Sequence, residues 1–135
     1  MKLTQDSINN INLFENITGA KVKDCIQDEG KLIFLINEGS VKKALGYNNN
    51  NIKKISKILK KEIKIIAFSE DINKFISNLI YPNKADEIKI ENKKIIIKVR
   101  DNVVKGKIYG RGRENLRKIT SIVKNYFQIE EIIIE

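Results

Sequence analysis

Two short stretches carry the same arrangement of glycine, asparagine and cations: Gly46–Ile55, GYNNNNIKKI, and Gly110–Ile119, GRGRENLRKI. At a constant offset of 64 residues, Gly46 pairs with Gly110, Asn51 with Asn115 and Ile52 with Leu116. The series continues through Lys53 with Arg117, Lys54 with Lys118 and Ile55 with Ile119. In each copy a glycine turn leads into a basic segment with apolar residues at helical spacing. Such a pattern suits gripping a phosphate. Glycine admits close backbone approach, a helix start offers N–H groups without intrahelical partners, and flanking cations supply charge.

The second stretch is the more cationic. Arg100, Lys105, Lys107, Arg111, Arg113, Arg117 and Lys118 face only Asp101 and Glu114. Arginine's planar donors suit phosphate forks and base stacking. From this stretch the candidate contacts are Lys107, Gly110, Arg111, Gly112, Arg113, Asn115, Arg117 and Lys118. From the first they are Gly46, Tyr47, Asn48, Asn49, Asn51, Lys53 and Lys54. Tyr47 stands where a cation would be expected and could stack on a base. Asn51 and Asn115 could either contact a ligand or bond to local backbone. Glycine in both turns could also be a plain relief of backbone strain.

The totals agree with a binding role. Of 135 residues 41% are hydrophobic and 32% charged, a globular balance. Lys and Arg number 26 against 17 acids, a net charge of +9, which favours a polyanionic partner, nucleic acid first and a membrane surface second. The chain has no histidine and one cysteine, Cys25, so neither a disulfide nor a usual zinc site can be assembled. Cys25 reads as a small buried residue of a reducing, cytoplasmic protein. No paired carboxylates stand out, so the expectation is a binding protein and not an enzyme, without metal or cofactor. The beginning, MKLTQDSINN, has no apolar core of signal length, and no run approaches membrane-spanning length.

The elements that must position the two turns repeat as well. Thr4 caps a helix through Phe14 with Ile8 and Ile11 on its inner face; strands follow at 21–27 and 31–37 around the turn Asp28-Glu29-Gly30. Ser40 caps a short helix to Leu45. After the Gly46 turn comes a helix over 50–60, with Ile52, Ile55, Ile58 and Leu59 inward, and a strand over 63–68. The order then restarts. Ser69 to Ile80 is a helix stopped by Tyr81-Pro82, with strands at 88–91 and 94–100 and a short helix at 102–109. The Gly110 turn leads to a helix over 114–127 and a strand over 129–134. Tyr81 and Phe127 are expected to pack. This is an α+β chain of two units, 1–68 and 69–135, each helix–strand–strand–helix–turn–helix–strand.

A helix–turn–helix against a small sheet, with a glycine turn and a basic second helix, resembles the KH domain, whose GXXG loop clamps backbone nucleotides. The extra helix and strand before the core resemble its prokaryotic, type II form. Two units in direct tandem over nearly the whole chain are similar to the archaeal NusA family. Asn49 and Arg113 depart from the glycine of the fourth loop position, although asparagine tolerates left-handed backbone. The resemblance implies binding of single-stranded RNA, nascent transcript or rRNA, modulation of transcription termination or elongation, and RNA polymerase as a partner. Two other readings remain open at this point. One is a KH protein of ribosome assembly; the other is an interaction scaffold with degenerate KH units.

Overall fold

The computed structural model describes residues 4–135, which form two compact units divided after Ser69. In the first, helix α1 (Gln5–Thr18) precedes a hairpin of β1 (Val22–Asp28) and β2 (Lys31–Asn37). Helices α2 (Val41–Leu45) and α3 (Asn50–Leu59) follow, and β3 (Glu62–Phe68) closes the unit. The second has α4 (Ile72–Ile80), β4 (Glu87–Glu91), β5 (Lys94–Lys98), α5 (Asn102–Tyr109), α6 (Glu114–Lys124) and β6 (Glu131–Ile134). The expected α+β class and the tandem KH-like element order are what the chain has. In each sheet the middle strand, β2 or β5, runs antiparallel to its hairpin partner and parallel to the closing strand.

Sequence explains most of this locally. β2 is KLIFLIN, and its five inner residues are all buried, as a short apolar run between turn residues should be. Phe34 stacks on Phe14 of α1 with ring centroids 4.3 Å apart. Ala20, Cys25, Leu32, Ile36, Ala44 and Ile55 complete that core, so α1, the sheet and the α2–α3 pair share one apolar centre. In the second unit Phe75 of α4 meets Tyr126 edge-on at 6.2 Å and Phe127 at 6.0 Å.

Several expectations are corrected. Helix α1 continues past Phe14 to Thr18 and stops at Gly19, whose left-handed backbone ends it; Ile8 is exposed. Ser40 does not cap α2: residues 38–40 form a 3-10 turn and its side chain makes no cap bond. Ser69 is buried, and the cap of α4 is Asp71, which accepts from the Asn73 N–H at 3.0 Å. Ile58 is half exposed, and Tyr81 is 70% exposed instead of packed. Helix α6 ends at Lys124, three residues short of Phe127; β5 and β6 are shorter than expected, and β4 begins one residue earlier, at Glu87. Among the described residues no helix is long and apolar enough to cross a membrane, and no group of acidic, Cys or His side chains could hold a metal ion.

Candidate nucleic-acid interface

The two glycine turns have one backbone. Gly46 has φ 73°, ψ 178° and Gly110 has φ 72°, ψ 173°, a region open essentially to glycine alone. Two left-handed residues then follow in each: Asn48 and Asn49 in the first, Gly112 and Arg113 in the second. The fourth residue donates its N–H to the carbonyl of the glycine, Asn49 to Gly46 at 3.3 Å and Arg113 to Gly110 at 3.2 Å. The departures from glycine at position four therefore leave the shape of the turn intact. Asparagine enters this conformation easily, and Arg113 is held there by its neighbours.

A second lock explains why the first position must be glycine. Asn51 donates from Nδ2 to the Lys43 carbonyl at 3.1 Å. Its counterpart Asn115 donates to the Ile108 carbonyl at 3.2 Å. Each amide ties the second helix of its pair to the open C-terminal carbonyls of the first. A Cβ on Gly46 would stand 2.7 Å from the Asn51 amide nitrogen, and one on Gly110 would stand 2.6 Å from the Asn115 Cβ. The local-bonding alternative for these asparagines is thus what their Nδ2 atoms do.

The turns end at helix starts of a particular kind. Helices α1, α4 and α5 open on side-chain caps, from Thr4, Asp71 and Asp101. Helices α3 and α6, the two that follow the glycine turns, have no side-chain cap bond. Their first N–H groups point the positive end of the helix dipole toward the turn. Around α3, Lys53 and Lys54 are exposed, and with Ile52, Lys57, Glu62 and Ile63 they line a shallow groove along α3 and the start of β3. Around α6 the cations are more engaged. Arg113 lies over the Tyr109 ring at 5.4 Å, Arg117 donates through Nη2 to the Gly112 carbonyl at 2.7 Å, and Lys118 pairs with Glu114 at 3.5 Å. Arg111 and Lys107 are exposed, as is Tyr47 at the tip of the first turn.

No family model matches the chain. A protein of Methanocaldococcus jannaschii named "Probable transcription termination protein NusA" is 28% identical over 135 residues, covering 98% of this chain and 74% of the relative. A protein of the same name from Halococcus morrhuae is 24% identical, covering 96% of this chain and 95% of the relative. Over nearly its whole length the chain is similar to these archaeal NusA proteins. A third relative of that name, from Methanococcus vannielii, is 35% identical over 88 residues, and the match spans about half of its length, 51%. The crystal structure of APE1850 superposes with a TM-score of 0.76 at 29% identity, over 98% of this chain and 99% of that one.

Within this NusA-like chain, the structure gathers Gly46, Tyr47, Asn48, Asn49 and Asn51 at the first turn with Lys53 and Lys54 on the helix after it. It gathers Gly110, Arg111, Gly112, Arg113 and Asn115 at the second, with Arg117 and Lys118 following and Lys107 on the helix before it. Sequence reasoning missed the Arg117 tie to Gly112 and the Arg113–Tyr109 stack. The five-residue spacing shared by Gly46–Asn51 and Gly110–Asn115 was the available signal for the lock.

Proposed function

We propose that the chain is a single-stranded RNA-binding transcription termination and elongation factor of the NusA type, in which each unit grips nascent transcript through its glycine turn. Residues 1–68 and 69–135 act as the two gripping domains. Turn and helix-start N–H groups bind backbone phosphates, with Lys53 and Lys54 in one unit and Arg111 and Arg113 in the other adding charge. Bases lie along the basic groove beside α3 and β3 and along the equivalent face of α6. Two weak grips on one chain raise each other's effective concentration. RNA polymerase is the partner of the RNA-bound factor.

The observation that carries this reading is the contrast in caps. The long helices away from the turns cap their N-termini with the side chains of Thr4, Asp71 or Asp101, while α3 and α6 have no side-chain cap. Asn50 and Glu114 donate their N–H groups to the turn carbonyls of Tyr47 and Arg111, and the N–H groups after them are the ones this reading gives to phosphate. A shared turn backbone, cations on the adjoining helix and the names of the relatives support it. The retained turn geometry also favours RNA binding over a scaffold with degenerate units.

The test is binding to short single-stranded RNA pools across a salt series, with Gly112→Asp beside Gly112→Asn. Asparagine already occupies the equivalent position, Asn48, so Gly112→Asn controls for backbone and Gly112→Asp adds only the repelling charge. Counterion release gives a log–log slope of about −0.7 per phosphate contacted. A steep slope, preference over duplex RNA and at least a tenfold loss confined to the aspartate variant are expected. Weak binding that ignores strandedness, equal in both variants, sinks the reading.

A further inference from the structure

The two turns share a backbone and differ in what is attached to it. At the second loop position one carries Tyr47 and the other Arg111. Tyr47 is 82% exposed, and its side chain makes no hydrogen bond, ring contact or cation contact with any described residue. The other tyrosine beside a turn, Tyr109, is engaged: its hydroxyl donates to the Ile134 carbonyl at 3.2 Å and Arg113 covers its ring. From Gly46 to Asn51 there is no charged side chain, whereas Arg111 and Arg113 both stand in the second turn. Lys53 and Lys54 begin only on α3. The first turn therefore presents a free aromatic face beside an uncapped helix start, and the second presents guanidinium groups at the same place.

We infer that the turns divide their work: Tyr47 is a stacking platform for one unpaired base in the first unit, and the second turn supplies the charge-dependent grip on phosphate. This rests on the RNA-binding reading above and names what each turn contributes to it. Every base has a π-face, so stacking on Tyr47 tolerates sequence, and it releases no counterions. Loss of Tyr47 and loss of Arg111 must then affect binding in different ways.

The experiment uses the full chain with two probes, a ten-nucleotide oligouridylate and an abasic ribose-phosphate oligomer of equal length. Tyr47→Ala is expected to weaken oligouridylate binding about five- to 150-fold, to leave the abasic probe unaffected and to keep the salt slope. Tyr47→Phe restores binding. Arg111→Gln weakens both probes and lowers the slope by about 0.7. The chain contains no tryptophan, so Tyr47→Trp installs a single reporter whose emission is quenched by oligouridylate and not by the abasic oligomer. Equal effects of Tyr47→Ala on both probes, or a Tyr47→Trp emission indifferent to oligouridylate that the wild type binds, overturn the division and leave RNA binding standing. A wild type that binds abasic, single-stranded and duplex probes alike removes both.

Discussion

The Asn51 side chain donates through Nδ2 to the carbonyl oxygen of Lys43, eight residues back in the chain, at 3.1 Å. Asn115 makes the equivalent bond to the Lys107 carbonyl at 3.5 Å and a shorter one to the Ile108 carbonyl at 3.2 Å, so each pair of helices flanking a glycine turn is tied by one amide. A net hydrogen bond of this kind is worth about 1 kcal/mol, toward the lower side where water can replace it. Asn51→Ala and Asn115→Ala are each expected to lower stability by roughly that amount, read as a shift in the urea midpoint. Unchanged midpoints in both variants would mean that the tie contributes nothing.

The two glycines of the second turn should respond unequally to alanine. Gly110 combines a glycine-only backbone with a Cβ position 2.6 Å from the Asn115 Cβ, so Gly110→Ala meets both strain and collision. Gly112 has φ 61° but nothing within 4 Å of a Cβ, so Gly112→Ala meets strain alone. The expected loss is about 1–2 kcal/mol for Gly112→Ala and more for Gly110→Ala. Gly112→Asn falls below both, because the other turn already places Asn48 there. Thermal or urea unfolding of the three variants checks the ranking, and an Ala effect larger at Gly112 than at Gly110 contradicts it.

Element order was legible because each element is periodic in a short window. KLIFLIN is a strand by its run of apolar residues, and the offset of 64 residues doubles every signal. The misread positions are those decided by neighbours distant in sequence. Ile58 sits on the helical stripe of α3, yet at about 100° per residue it lies about 60° from Ile55 on the side away from Ile52 and Leu59. The core covers only one side of Ile55, and Ile58 is left half exposed. In the turns, a missing fourth glycine looked like a defect. Bonds from Asn49 to Gly46 and from Arg113 to Gly110 hold the left-handed backbone in spite of it. Whether Asn51 faced a ligand or the backbone depended on where α2 ended in space, which spacing alone does not say.

Cys25 should be an unreactive thiol. Burial, with a smaller push from Asp24 and against an opposing pull from Lys61, raises its pKa from 9.0 to about 11. The neutral thiol is thus favoured in the folded state. Its contribution to stability is fully present below pH 9 and is lost as pH rises through about 11, where the unfolded thiol has long been ionised. A disulfide reagent at pH 8 is expected to label Cys25 slowly in buffer and rapidly in urea, and the urea midpoint should fall between pH 9 and 11. Equal labelling rates in the two solvents would contradict its burial.

Arg117 holds the second turn as well as carrying charge near it. Its Nη2 reaches the Gly112 carbonyl at 2.7 Å, fixing the peptide that follows one left-handed residue and precedes another. Lys53, at the equivalent position, is exposed, and there the turn is built on asparagines instead. Arg111, one residue before Gly112, is exposed and makes no such tie among the described residues. Arg117→Gln is therefore expected to lower the urea midpoint by the equivalent of about 1 kcal/mol and also to weaken RNA binding. Arg111→Gln should reduce the salt slope of RNA binding by about 0.7 with stability unchanged. Arg117→Lys separates the two contributions, keeping the slope while losing the stability. If Arg117→Lys matched wild type in both measurements, the guanidinium tie would be incidental and charge alone would account for the residue.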